Sequence, residues 1–216
     1  NESTQVTLAD ATRRKAEGFR GFKIQFWDGL ERDIPRFRAA REAVGPDFPL
    51  MEDAAGMYDY LTAIRAGHEL QRLGIHNGLV IEADARKAVL KGEFDRVLVD
   101  APCSDLGALA SRPDARWRKS PAVIDRVIEL QAPILAAAAE SLVPGGTLVY
   151  STCTISRREN SDLVARVAAE AGLEVDDLGA LAPGLADPHD SRFIQLMPDR
   201  DRTTGFFISR MVKGRG

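Results

Sequence analysis

The sequence predicts an α/β fold built on a mostly parallel, doubly wound sheet. Two observations lead there. Short apolar runs alternate with amphipathic stretches of helical period from residue 22 to residue 211. Gly and Pro punctuate the changes of period, as breakers between strands and helices do. A third observation permits the fold: 216 residues with 44% hydrophobic and 28% charged side chains can bury one ordinary core, or one and a half. Strand–helix alternation of this kind implies right-handed βαβ crossovers and helices on the faces of the sheet.

The elements follow in order. Residues 22–26 (FKIQF) form a short apolar run after a Gly-punctuated segment and read as the first strand, with a helix over 30–44. Residues 49–52 (PLME) read as the next strand and 58–73 as the next helix. Strands are predicted at 79–83 (LVIEA) and 96–100 (RVLVD), the second rich in β-branched residues. A long amphipathic helix over 121–142 is expected to end at Pro144-Gly145-Gly146. A strand over 147–151 (TLVYS), a helix over 160–171 and a late strand over 205–211 complete the pattern. Sites on such sheets lie at the carboxyl ends of strands. Asp53, Asp84, Asp100 and Cys153 all fall at or just past such ends, so one edge of the sheet is expected to gather them.

Composition narrows the function classes. The net charge of −3 argues against a surface that is basic throughout, which phosphate contacts would favour. Lys and Arg concentrate instead in 112–119 and 192–210, so any RNA contact is expected from the C-terminal half. No apolar run approaches the roughly 20 residues that span a bilayer, and the start shows no signal-peptide pattern. A cytoplasmic location, with no membrane partner, is the expectation. Two cysteines are too few for a secreted disulfide scaffold of this size, which points to a reducing compartment. The thiols are then either buried small hydrophobes or chemical groups.

Their settings favour chemistry. Asp100-Ala101-Pro102-Cys103-Ser104 closes one predicted strand, and Ser151-Thr152-Cys153-Thr154 closes the next long one. C5 of cytosine is a poor nucleophile toward a sulfonium methyl group. A thiolate that adds to C6 makes the ring enamine-like, so that C5 can attack; a carboxyl group at N3 stabilises the ring charge, and a base then removes the C5 proton. Two adjacent strand ends carrying Asp100, Cys103 and Cys153 meet that requirement, although spacing alone does not say which thiol attacks.

The strings DAPCS (100–104), RPDARWRKSP (112–121), PGGTLVYSTCT (144–154) with Glu159-Asn160 after it, and the late TTGFFISR resemble the RNA cytosine-5 methyltransferases of the Sun/Fmu type, in order and spacing, over about 76–216. The resemblance implies a Rossmann-like methyltransferase fold and S-adenosylmethionine as donor, with RNA as substrate. It makes Cys153 the nucleophile, gives Cys103 a part in product release, and sets Asp100 against the base. It places Asp84 against the donor's adenine. Asp53 is expected as a ribose ligand on geometry alone, because doubly wound sheets often end their second strand in such an acid. Arg112, Arg116, Trp117 and Arg118 are either a solvated turn or an RNA contact, since Arg with Trp both grips phosphates and stacks on bases. Phe206-Phe207 reads as core before it reads as a base-stacking platform, and Asn160 as a helix cap.

The chain departs from that family at its donor site. The first strand of such enzymes ends in a Gly-rich turn that lets the backbone approach the ligand, whereas FKIQF runs into Trp27-Asp28-Gly29-Leu30. Asp105 stands where the family's CSGLG turn has a glycine, and Thr204 where it has an acid. The stretch from about Ala11 to Ile75 resembles instead the early barrel strands of enolase-superfamily sugar-acid dehydratases, through EGFRGFKIQ, REAVG and PLMED. Lys23 fits that family's first catalytic lysine and Asp53 its metal ligand, while Gln25 breaks the lysine pair. A single carboxylate does not hold Mg²⁺, so no metal is expected.

The sequence is therefore read as a chimera. Residues 1–75 are a TIM-barrel-like βαβα segment and 76–216 the methyltransferase catalytic half, in one compact domain. Three functions stand against each other: an active cytosine-5 methyltransferase, a catalytically silent scaffold without donor binding, and an enolase-type fragment.

Overall fold

A short strand, an amphipathic helix and a second short strand open the α/β pattern where the periodicity predicts them. The structure is a computed structural model that describes residues 2–26, 28–54, 58–74, 83–87 and 91–215. The chain divides into two units, Asn1–Glu82 and Ala83–Gly216.

In the first unit a helix absent from the predicted alternation, α1 (Glu2–Ala16), precedes β1 (Phe22–Gln25). Its last turn carries Arg13, Arg14 and Lys15, cations that complement the negative end of the helix dipole. Helix α2 (Leu30–Val44) crosses over to β2 (Leu50–Asp53), which pairs parallel with β1 from Phe22↔Leu50 to Gln25↔Asp53. Helix α3 (Tyr60–Arg72) follows, capped by Asp59, whose carboxylate accepts the Thr62 N–H at 2.7 Å. Phe26, Phe37, Ile24 and Val44 fill the core of this unit. A buried ion pair, Arg36 with Asp33, lies beside them, and the Tyr58 hydroxyl donates to Asp33 at 2.9 Å.

The second unit starts its sheet with β3 (Phe94–Asp100). Helix α4 (Pro121–Glu140) leads to β4 (Leu142–Thr152), parallel to β3, with Asp100 opposite Ser151. Helix α5 (Ser161–Ala171) and the short strands β5 (Leu173–Val175) and β6 (Ile194–Leu196) precede β7 (Phe206–Lys213). The strand order is β3-β4-β7-β5, and β6 also pairs with β7. All pairings of β7 are antiparallel. The parallel pairs are those of the βαβ units, as a doubly wound α/β fold requires.

Besides α1, three details depart from expectation. The described strands form two sheets where the alternation predicts one; most of the strand expected at 79–83 lies outside the described residues. Helix α4 ends at Glu140, before Pro144-Gly145-Gly146, and these residues stay within the strand. The register moves from Phe94↔Leu142 to Arg96↔Thr147, so residues 143–146 bulge opposite Asp95. Gly145 takes φ +80°, and a Cβ on Gly146 would lie 2.9 Å from the Val143 carbonyl oxygen, so glycine at both positions permits the bulge. The third detail is the pair of short strands β5 and β6, whose three-residue runs are too brief to show a period.

The core of the second unit centres on β4 and β7. Phe207 is fully buried, against Phe193 at 5.4 Å and Tyr150 at 6.4 Å between ring centroids, while Phe206 is half-buried. The pair Phe206-Phe207 reads as core in the sequence, and the structure makes Phe207 core and Phe206 only partly so.

Below the ends of β3 and β4 lies a fully buried carboxylate, Glu159. It accepts the Ser104 N–H at 2.8 Å, the Ser104 and Thr154 hydroxyls at 2.5 and 3.3 Å, and the Gln131 amide at 3.3 Å. Its own carbonyl accepts the Tyr150 hydroxyl at 2.9 Å. Asn160, at the head of α5, makes no cap bond; its side chain joins Thr152, the Thr154 carbonyl and Gln195 instead. The loop after β3 and the loop after β4 are therefore tied to one acid. Removing it orphans several buried donors, each worth about 1–3 kcal/mol. Glu159→Ala is expected to lower unfolding free energy by about 3 kcal/mol or more in urea titration, and Glu159→Gln by less; equal stability of wild type and Glu159→Ala would contradict this account.

Candidate active site at two strand ends

Strands β3 and β4 run side by side and in parallel, so the loops that leave them start from neighbouring points. The buried Glu159 network holds Ser104 of one loop and Thr154 of the other, and the residues before each, Cys103 and Cys153, are brought together. The two Sγ atoms are 3.2 Å apart, and both thiols are half-buried and unoxidised. The carboxylate of Asp105 accepts from Cys153 at 3.0 Å and from Cys103 at 3.5 Å. Lys119 stands 3.8 Å from its other oxygen. Asp105 adopts φ +56°, a left-handed conformation that suits glycine and, among other residues, Asp and Asn.

A third loop completes the arrangement. The Gly107 N–H donates to the Cys153 carbonyl at 3.0 Å, and the Gly205 N–H to the Gly107 carbonyl at 2.9 Å. A Cβ on Gly107 would come within 2.2 Å of the Gly205 carbonyl oxygen, so the backbones touch only because both residues lack side chains.

Asp100 ends β3 exposed to solvent and accepts the Ser151 hydroxyl at 3.3 Å. Asp84 is also exposed. Arg86 grips both its oxygens at 2.7–3.1 Å and holds its carboxyl at about 2, well below the usual range, through side-chain and backbone hydrogen bonds. Asp53 belongs to the first unit, where it pairs with Lys23 at 2.8 Å. Arg112, Arg116, Trp117 and Arg118 lie on or beside an exposed 3-10 helix, Pro113–Arg118. Trp117 is 79% exposed with Arg116 stacked 4.6 Å from its ring, and Arg118 pairs with Asp114 at 3.0 Å.

The family model described as 16S rRNA methyltransferase RsmB/F matches residues 62–212. The chain belongs to this family. A second model, enolase C-terminal domain-like, matches residues 7–77. Among curated relatives of the RsmB/F kind, the ribosomal RNA small subunit methyltransferase F of Cronobacter sakazakii is 38% identical over 149 residues, covering 67% of this chain and 31% of that protein. The probable ribosomal RNA small subunit methyltransferase B of Bacillus subtilis is 41% identical over 137 residues, covering 60% of this chain and 30% of its own length. The chain thus spans about a third of the length of the curated relatives it matches. The fold is shared with NSun6 from Pyrococcus horikoshii, solved with SFG, at a TM-score of 0.61 and 24% identity, covering 94% of this chain and 50% of that one.

Within this RsmB/F frame the structure brings Cys103 and Cys153 into contact and sets Asp100 at the end of the adjoining strand. Sequence reasoning gives no role to Glu159, Gln131 or Lys119, and meets Asp105 only as a departure from the family turn. A buried acid cannot be told from a solvated one in a single sequence; its one signal is its place just before Asn160, after the STC string.

The thiols do not titrate alike. The hydrogen bond with Cys153 holds Cys103 below the ordinary thiol value, against its burial. The same bond pushes Cys153 up, and burial and Asp105 add to it. Cys103 is therefore the first to ionise in this geometry, and thiolate character governs alkylation. Iodoacetamide near neutral pH is expected to label Cys103 before Cys153 by peptide mass mapping, and Cys103→Ala to speed labelling of Cys153. Earlier labelling of Cys153 in the wild type would contradict the assignment.

Proposed function

We propose that this chain carries the catalytic segment of an S-adenosylmethionine-dependent methyltransferase that modifies C5 of cytosine in ribosomal RNA, with Cys153 as nucleophile. The observation that supports it is the meeting of two thiols and a carboxylate at adjacent strand ends, in a chain of the RsmB/F family. A cytosine that enters between the thiols separates them and removes the main upward push on Cys153. Its proton passes to Asp105, already 3.0 Å away, and the thiolate adds to C6. Asp100, exposed at the end of β3, meets N3 and stabilises the charge that develops on the ring. Cys103, the readier thiolate, takes the proton from C5; the C6–S bond then breaks and Cys153 leaves. Arg112, Arg116, Trp117 and Arg118 offer the RNA an exposed cationic and aromatic surface.

The donor supplies the methyl group. Asp84 and Asp100 suit its polar groups: the Asp84–Arg86 pair is exposed, and such pairs yield easily to a competing ligand. Asp53 ends β2 in the first unit, and its expectation as a ribose ligand rests on that strand end alone. A second reading, a folded scaffold silent in catalysis, draws on one feature: the sequence has no Gly-rich turn after its first strand. The enolase-type reading keeps Lys23 and Asp53, but these two pair with each other, and Gln25 stands where a second lysine is required. One carboxylate does not hold the cation that such chemistry uses. The two family models, over residues 7–77 and 62–212, support descent by recombination, with the join read from the sequence near residues 72–79.

Titration calorimetry with S-adenosylmethionine, followed by transfer of labelled methyl groups to RNA, tests the proposal. Donor binding and transfer abolished in Cys153→Ala are the expected results. No binding at millimolar donor would sink the active-enzyme reading in favour of the silent scaffold.

A further inference from the structure

The geometry points to a binding site for a thiophilic divalent cation of the zinc kind, made by Cys103, Cys153 and Asp105. Among the described residues these three offer ligand atoms that all lie within 4.8 Å of one another. The donor set is two sulfurs and one carboxylate oxygen, which zinc accepts readily and magnesium does not. The sequence predicts no metal, on the ground that a single carboxylate does not hold magnesium, and the proposal departs from that expectation.

Distances favour a metal over a disulfide. With Zn–S about 2.3 Å and Zn–O about 2.0 Å, tetrahedral angles put the sulfurs about 3.7 Å apart and each sulfur about 3.5 Å from the oxygen. The structure has 3.2 Å between sulfurs, and 3.0 and 3.5 Å from sulfur to oxygen. Each short distance opens by about half an ångström, within reach of small side-chain rotations. A disulfide needs about 2.05 Å, a closure of more than an ångström.

Charge agrees with distance. On binding, each thiol loses its proton to solvent and forms a bond to the cation. Two thiolates and one carboxylate carry three negative charges, which the cation and Lys119, 3.8 Å from Asp105, together balance. The fourth position is left to water, as in zinc sites with three protein ligands. Asp105 holds its left-handed backbone conformation where glycine would be at ease, and from there its carboxylate reaches both thiols. Occupancy would mask Cys153, a consequence that rests on its reading as nucleophile; binding itself does not.

Cobalt(II) titration of the reduced chain reads binding directly, through thiolate-to-cobalt charge-transfer absorption. One saturable site is expected, displaced by zinc and lost in Cys153→Ser. Asp105→Gly, which suits the backbone conformation, is expected to keep the circular dichroism of the wild type and weaken cobalt binding by at least about tenfold, the loss that even outer partners of metal ligands produce. Absence of the charge-transfer band in folded protein, or equal affinity in Asp105→Gly, would overturn the site. Neither outcome depends on methyl transfer, so failure here is separate from failure of the proposed function.

Discussion

Everything at the strand ends depends on the buried carboxylate of Glu159. A carboxylate removed from water must find donors, and this one finds them in two loops at once: Ser104 after β3 and Thr154 after β4, with Gln131 of α4 beside them. Parallel pairing brings the loops to one edge of the sheet, but pairing alone leaves their side chains free to choose partners. The shared acid removes that freedom. It fixes the residues next to Cys103 and Cys153, and the sulfurs meet as a result. Gly107 and Gly205 add a backbone seam that admits no side chain, so the third loop is held as closely as the first two.

A contact between thiols has an electrostatic consequence. The pair shares protons with Asp105, and the partner that donates becomes the harder acid to ionise. At rest Cys153 is restrained and Cys103 favoured, the reverse of what a nucleophilic Cys153 needs. The same contact can be undone by any group that separates the sulfurs, whether a flat base or a metal ion. The reactivity of the site therefore follows what lies between the thiols.

Much of this is legible in the sequence, for identifiable reasons. The strand at 96–100 and the helix over 121–142 stand out because β-branched runs and long apolar periods are strong signals, and the helix ends two residues early, at Glu140. The STC and DAPCS strings locate both thiols and Asp100 by their residues alone. The bulge at 143–146 is hidden, since Pro-Gly-Gly reads as a terminator whether it stops an element or kinks one. Helix α1 escapes because its apolar residues trace no clear face. The roles of Glu159 and Asp105 are hidden more deeply. Burial and partnership arise from tertiary contacts 55 and 48 residues apart in the chain, and no local pattern carries them.

The central claim is that Cys153 is the thiol that joins a pyrimidine of RNA. It is tested most directly by incubating the chain with donor and RNA containing 5-fluorocytidine. The fluorine cannot leave C5 as a proton does, so a sulfur–C6 adduct persists through denaturation. Peptide mapping of that adduct is predicted to place the nucleotide on Cys153. An adduct on Cys103, or methylated RNA with no adduct on either thiol, would contradict the account.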